Sequence, residues 1–424
     1  MTETGANTGV FVNWDDAMKT NVIINPGAAR GTAAVITYDG DAHTILHMPS
    51  FGSVEYDTSD IGSSWNSGET VVVNITDEDM NYDVRQEDAL GIGSNTTIVP
   101  AIKVGSPITL KNLEEFSINS LVVDASTDSV CSSDYAGAGT NASYTSCYEK
   151  YSERTIATVE DAAAAVTLAS NDQLRFVWAS DTTVNTAADL ISGANGTAAY
   201  SYLQYDFRSL NGGSNDVNYY LNFTIGDSSI DSCTSASDSA NTNGHCTEAR
   251  YASGLIGRAL INDPSDKLQG FGPLTGTEAL RINVEMTPIS GSLGDALSAG
   301  TSYPLTLDLV TFGQSNDGVT SGDRHNNSIY RLEVDEVDTN GGIFVGELDF
   351  IMLNQLNVNQ TSTYNDTKTD HEENRIIVHN DLTDEDEIRI NYFDMGADGV
   401  ETQVGDQLAA PTHSGVVEFD NDSY

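Results

Sequence analysis

The sequence predicts an all-β protein made of tandem immunoglobulin-like (Ig-like) antiparallel β-sandwiches, one of which carries a large inserted β domain. Three observations lead to this fold class. Apolar and polar residues alternate with a period of two over short segments, Gly-rich turns separate these segments, and similar strand openings recur at distant points of the chain. Such alternation is typical of half-buried strands, and short strands at regular spacing are typical of sandwiches. Only residues 159–165 and 252–261 have a helical pattern worth noting.

Residues 51–83 contain the two predicted strands around which the remaining chain is organised. A Gly/Ser-rich turn separates these strands, and an acidic turn at residues 76–79 ends the second. Because side chains alternate between the two faces of a strand, one apolar set must point inward. That inward set is Val54, Tyr56, Val71, Val73 and Ile75.

Two sequence echoes indicate a modular array. Gly415–Asp420 matches Gly52–Asp57 at four of six positions, and Glu336–Val345 shares Glu, Asn, Gly, Phe and Val with Glu3–Val12 at one fixed offset. Repeats in a fixed order are the signature of arrays, so we expect the chain to be a segment of a longer protein. The echoes divide it into the tail of a preceding Ig-like module (1–50), one Ig-like module (51–110 plus 326–410), an inserted β-rich domain (111–325) and the first strand of a following module (411–424).

The charge of the chain excludes several classes of partner. Asp and Glu number 63 against 18 Lys and Arg, which gives a net charge of −45. Such a surface repels phosphate backbones, so nucleic acid is not a predicted partner, and it attracts cations such as ammonium. The longest apolar runs are well short of the ~18 residues of a membrane-spanning helix, so no membrane span is predicted in this chain.

The cysteines and the glycosylation sequons both indicate an extracellular protein. The four cysteines form two local pairs around polar loops, Cys131 with Cys147 and Cys233 with Cys246. This pattern favours two disulfides over free thiols or a zinc site, and disulfides persist outside the cytosol. Candidate N-glycosylation sites occur at Asn74, Asn95, Asn141, Asn195, Asn222, Asn326, Asn359, Asn365 and Asn421.

The sequence contains no recognisable catalytic constellation, so we do not expect an enzyme. His43 and His47 are four residues apart but lie in a strand-like segment, where that spacing does not bring the two side chains together. Acidic clusters near predicted turns are better candidates, because Ca²⁺ takes six to eight oxygen ligands from carboxylates and backbone carbonyls. We therefore expect Ca²⁺ or another divalent cation, and no organic cofactor. The candidate ligands are Asp77, Glu78, Asp79, Asp83, Asp335, Glu336, Asp384 and Asp386.

The echoes resemble the surface-layer (S-layer) proteins of ammonia-oxidising archaea. The segments that carry this likeness are Glu3–Val12, Gly52–Asp57 with Thr70–Asn81, Asn340–Val345 and Ser414–Tyr424. The family commonly has Pro in the turn that reads Asp-Glu-Asp-Met-Asn here. The resemblance implies a secreted chain of tandem Ig-like sandwiches that assembles with copies of itself into a lattice on the cell surface. The acidic pores of such a lattice are expected to filter ions.

A second hypothesis comes from another functional class. In it, the chain is a secreted adhesin or carbohydrate-binding β-sandwich array, and the 111–325 insert is the recognition domain. Aromatic residues of the insert, such as Trp178 or Tyr205, would then contact the glycan.

Overall fold

The structure is a computed structural model that describes only part of the chain. The described residues are 2–12, 31–46, 48–61, 65–83, 85–95, 97–105, 107–112, 115–118, 121–123, 144–149, 151–159, 172–179, 199–210, 217–226, 244–246, 250–253, 256–260, 279–288, 302–314, 324–352, 370–371, 373–378, 387–395 and 401–409.

The described part of the chain is all-β, as predicted, and contains no helix of seven residues or more. The first strands are β1 (Thr2–Glu3), β2 (Phe11–Val12), β3 (Ala33–Tyr38), β4 (Asp41–Leu46), β5 (Ser53–Asp57), β6 (Val71–Thr76), β7 (Ala89–Leu90) and β8 (Ala101–Val104). The next strands are β9 (Glu115–Ile118), β10 (Leu121–Val123), β11 (Tyr144–Tyr148), β12 (Thr155–Val159), β13 (Asp172–Ala179), β14 (Ala199–Asp206), β15 (Val217–Gly226), β16 (Gly244–Cys246), β17 (Arg250–Ser253), β18 (Ile256–Leu260), β19 (Ala279–Pro288) and β20 (Ser302–Gln314).

The remaining strands are β21 (Arg324–Leu332), β22 (Val334–Glu336), β23 (Ile343–Met352), β24 (Asp370–His371), β25 (Glu373–Val378), β26 (Glu387–Met395) and β27 (Glu401–Ala409). Short 3₁₀ helices lie at Glu78–Met80, Leu110–Asn112 and Arg208–Leu210. Among the described residues, no helix is both long enough and apolar enough to cross a membrane.

Two sheets enclose the main core in a sandwich. The first sheet has the order β5-β6-β23-β22-β7, and the second contains the neighbouring strands β21, β8, β26 and β27. Their apolar side chains form one buried cluster. In it the Trp65 ring lies 4.9 Å from that of Phe350, edge to face, and 6.1 Å from that of Tyr56. The first sheet also includes β25, which runs parallel to β23, so the sandwich is not purely antiparallel.

The predicted inward face of the opening strands is confirmed. Strand β5 alternates strictly between exposed and buried residues, with Val54 and Tyr56 inside. Strand β6 buries Val71, Val73 and Ile75 and leaves the residues between them half-buried. The two strands pair antiparallel, and Val54 lies opposite Ile75.

Strands on both sides of the predicted insert boundary share one sheet. Strand β20 pairs with β21, and β21 pairs with β8. The boundary predicted between residues 325 and 326 therefore falls inside β21. The echo-based division into modules stays a prediction. Strands that it assigns to the insert and to the host are hydrogen-bonded neighbours in one sheet.

The predicted helical stretch at 252–261 is wrong. The chain there forms β17 and β18, which pair with β15 and β14. Gly257 lies against the ring of Tyr205, and a methyl group placed on Gly257 would come within 2.3 Å of the Tyr205 hydroxyl. Tertiary pairing thus overrides a weak local preference for helix. The other stretch, 159–165, lies outside the described residues after Val159.

A buried turn joins strands β11 and β12 to the segment 92–97, which precedes β8. Arg154 is fully buried, and its guanidinium donates to Glu149 and to the carbonyl oxygens of Ile92, Ser94 and Thr97. In the same turn, Glu153 accepts hydrogen bonds from Lys103 and Lys111.

We expect Arg154→Met to destabilise the protein by about 3–5 kcal/mol, because it leaves Glu149 buried without its partner. The matched control is Arg375→Met. Arg375 pairs with Asp349 at 2.7 Å but is 38% exposed, so this loss should stay below about 1 kcal/mol. Urea unfolding of both variants measures the difference, and equal losses would contradict the structural role assigned to the buried pair Arg154–Glu149.

Candidate cation site at the acidic turn

The acidic turn begins where β6 ends. Asp77 caps the 3₁₀ helix Glu78–Met80, and its Oδ1 accepts the backbone N–H of Asp79 at 2.9 Å. Asp is a preferred residue at such a position because its short side chain reaches the backbone donors of the first turn. Asp77 is 1% exposed, so this carboxylate is buried by the module rather than solvated.

Two residues that are distant in the sequence, Gly342 and Tyr392, bind Asp77. Its backbone N–H donates to the carbonyl oxygen of Gly342 at 2.8 Å, just before β23. Its Oδ2 accepts the hydroxyl hydrogen of Tyr392, on β26, at 2.8 Å. Burial and the neighbouring Asp77 carboxylate raise the pKa of the Tyr392 phenol well above its usual value, so the hydroxyl stays protonated and donates.

Asp394 completes a three-carboxylate cluster. It lies two residues after Tyr392 and therefore on the same face of β26. One carboxylate oxygen from each of Asp77, Asp79 and Asp394 lies within 4.8 Å of the other two. Two backbone amides of the segment that leads into β5 bind the same cluster: Ser50 N–H donates to Asp79 Oδ2 at 2.9 Å, and Gly52 N–H donates to Asp394 Oδ2 at 3.0 Å.

The electrostatics of the cluster favour a bound proton or a bound cation. Burial raises the pKa of Asp77 to about 6, with smaller contributions from the charges of Asp394 and Asp79 and against the lowering effect of its hydrogen bonds. Three carboxylates this close repel one another when all are ionised. Their spacing fits Ca²⁺, because oxygens 2.3–2.6 Å from one ion lie no more than about 5 Å apart. The remaining ligands would be backbone carbonyls or water.

The acidic turn packs against the hairpin that joins β22 and β23. Glu336 is buried, and its Oε1 accepts the backbone N–H groups of Gly341 and Gly342 at 3.0 and 2.8 Å. Gly342 has φ +57°, and a methyl group placed on it would lie 2.9 Å from the Cα of Glu78. Only glycine allows both this backbone conformation and the close approach of the turn.

The other predicted ligands lie away from the cluster. Glu78 and Asp335 are exposed, and Asp83 accepts the backbone N–H of Arg85 within its own turn. Glu336 binds backbone amides, as described above. Asp384 and Asp386 lie outside the described residues. Sequence reasoning missed Asp394, although the Tyr-x-Asp ending of its strand is visible in the sequence.

The structure describes only some of the residues of the predicted disulfides and glycosylation sites. Cys147 and Cys246 lie on β11 and β16, and Cys131 and Cys233 lie outside the described residues, so both pairings stay predictions. Asn74 lies half-buried between β5 and β23, and Asn95 is half-buried in a turn. The backbones of Asn222 and Asn326 lie on β15 and β21. The sequons outside the described residues are Asn141, Asn195, Asn359, Asn365 and Asn421.

Comparison with models of known protein families gives no match, and comparison with curated proteins gives none either.

Protonation of Asp77 should appear in the pH dependence of stability. Its folded pKa, about 6, exceeds the ordinary value of 3.8, so its contribution is full below pH ~4 and is lost as the pH rises through ~6. Asp77→Asn cannot lose that proton. Relative to wild type, we expect this variant to gain roughly 1–3 kcal/mol between pH 4 and pH 7, from about 1.4 kcal/mol per pKa unit.

Urea unfolding at both pH values with a chelator present measures this gain. Tyr392→Phe is the companion variant. It removes a hydrogen bond that lowers the pKa of Asp77, so it should lose more stability than wild type over the same pH interval. The assignment fails if Asp77→Asn keeps the wild-type pH dependence.

The close contact between Gly342 and the acidic turn gives a second prediction. Gly68 has φ +85° with nothing within 4 Å of an added methyl group, so Gly68→Ala should cost only the left-handed backbone penalty of about 1–2 kcal/mol. Gly342→Ala should cost about 1–3 kcal/mol more, because the turn backbone must move. Denaturant midpoints of the two variants test this, and equal midpoints would show that the turn does not rest on Gly342.

Proposed function

We propose that this chain is a structural, non-catalytic segment of an extracellular S-layer lattice, in which tandem Ig-like modules assemble with copies of themselves. The observation that carries the proposal is a structural repeat. Hairpin β1–β2 and hairpin β22–β23 have the same register, with Glu3 opposite Phe11 in one and Glu336 opposite Phe344 in the other.

The hydrogen bonds of the two hairpins also coincide. Thr4 N–H donates to the Val10 carbonyl at 2.9 Å, and Val337 N–H donates to the Ile343 carbonyl at the same distance. Gly9 N–H donates to Glu3 Oε1 at 2.8 Å. Its counterpart in the second hairpin, the amide bond from Gly342 to Glu336, has the same length. Recurrence of one unit along a chain is what a tandem array requires.

The distribution of charge supports a cation-attracting surface. Arg154 and Arg331 are fully buried, with Glu149 and Asp308 as their partners. Their positive charges therefore do not offset the acidic residues at the surface. The chain has only 18 basic residues against 63 acidic ones. A lattice of such chains would have strongly negative pores, which attract ammonium and divalent cations and repel anions within a Debye length of about 8 Å.

Divalent cations are proposed to support the lattice. The residues that would hold one are Asp77, Asp79 and Asp394, in the cluster that also fixes the entry into β5. Neutralising these three charges would strengthen the junction between residues 48–52 and the sandwich.

The adhesin hypothesis has no comparable support among the described residues. Tyr205 is fully buried and stacks on Phe207 with ring centroids 5.3 Å apart, so its ring is not presented to a glycan. The side chain of Trp178 lies outside the described part of the structure. We therefore do not propose glycan recognition.

Electron microscopy of the complete secreted polypeptide tests the proposal. We expect two-dimensional sheets in millimolar Ca²⁺ and their dissolution by a chelator. A protein that stays monodisperse under every cation and salt condition would refute the lattice role.

The double variant Asp79→Asn/Asp394→Asn tests the contribution of the cluster. It should need at least tenfold more Ca²⁺ than wild type for sheets to form. Asp335→Asn, which removes an exposed carboxylate from β22, is the matched control and should assemble as wild type does. Equal Ca²⁺ requirements for wild type and the double variant would remove the cluster from the proposal.

A further inference from the structure

In the sandwich, strand β6 and the acidic turn that follows it pack against the hairpin β22–β23. Strand β6 pairs along β23, with Ile75 opposite Phe344 and Thr76 opposite Ile343. The acidic turn that follows rests on Gly342 and donates the Asp77 N–H to its carbonyl oxygen. As a result Phe344 has no exposed surface.

The hairpin β1–β2 has the same register and hydrogen bonds, but within the described part of the chain no third strand pairs with it. Phe11, the counterpart of Phe344, is 57% exposed. Gly9 has φ +64°, close to the +57° of Gly342, yet a methyl group placed on Gly9 would meet nothing within 4 Å. The volume that the acidic turn fills beside Gly342 is therefore open beside Gly9.

We propose that hairpin β1–β2 is a docking surface for a strand of the β6 type from another module. The fitting partner has alternating aliphatic residues followed by Asp-x-Asp. Its main chain would extend the ladder along β2, its aliphatic side chains would cover Phe11, and the backbone N–H of its first Asp would donate to the Gly9 carbonyl oxygen. Strand addition of this kind takes affinity from the main-chain hydrogen bonds and specificity from alternate side chains.

This inference rests on the repeat geometry and not on lattice formation. A dilute solution with chelator, in which no lattice forms, therefore tests it separately from the proposed function. The probe is a fluorescent synthetic peptide with the sequence of residues 68–83, titrated with the full chain. We expect saturable binding and at least tenfold slower amide exchange at residues 9–12. A peptide with Pro at the position of Val73 should not bind, because it breaks the ladder.

Gly9→Asn is the decisive variant. Asn tolerates the left-handed conformation, as Asn7 does at φ +61° in the same hairpin, so the free hairpin should persist. The added side chain occupies the space for the turn and should weaken peptide binding at least tenfold. Gly40→Asn, at φ +91° with the same open space, is the control and should bind as wild type does.

Phe11→Ser gives a second test that does not depend on backbone strain, because Phe11 is exposed in the free chain. It should also weaken binding at least tenfold. The proposal is overturned by absence of saturable binding to wild type, by protection that maps away from residues 9–12, or by wild-type affinity in both variants. Dimerisation of the chain through this hairpin without peptide would also overturn it, because the occupant would then be a second copy.

Discussion

The contact between the Asp77 amide and the Gly342 carbonyl is the constraint on which the candidate site depends. It holds the acidic turn against hairpin β22–β23. In this position Asp77 accepts the Tyr392 hydroxyl hydrogen and lies close to Asp394. Once there, the carboxylate is buried and holds a proton to a higher pH than a solvated acid does. The close approach that Gly342 permits thus contributes to the burial of an acid in the turn after β6. The site is a property of the backbone arrangement first and of its carboxylates second.

Positive charge is scarce in this chain, and two of the described arginines are fully buried. Both lie beside the β11–β12 turn: Arg154 binds Glu149 and several backbone carbonyls, and Arg331 binds Asp308 and the Ser152 carbonyl. A buried guanidinium is retained only where its donors are satisfied, so these residues define the geometry of the junction more than they add to stability. The acidic residues left at the surface keep the long-range field negative.

The sequence predicts local features of the fold well because they depend on neighbouring residues. The alternation of Val54 with Tyr56 and the hairpin echo at Glu336–Val345 are of this kind. The candidate site was predicted only in part, since Asp77 and Asp79 are adjacent to β6 but Tyr392 is 315 residues from Asp77. No local pattern encodes which distant strand will face a turn. The strand pairing at 252–260 was missed for the same reason, because β15 and β14 stabilise it from outside the segment.

The separation of β6 from β23 has a consequence for synthesis of the chain. Strand β6 ends at residue 76 and β23 begins at residue 343, so 266 residues lie between them. At roughly 5–20 residues per second, the ribosome needs on the order of 10–60 s to make the intervening chain. During that interval β6 has β5 as a neighbour on one side and a bare apolar edge on the other. An uncovered edge of this kind is prone to pair with other chains, so β6 is most open to such pairing in the interval before translation reaches β23.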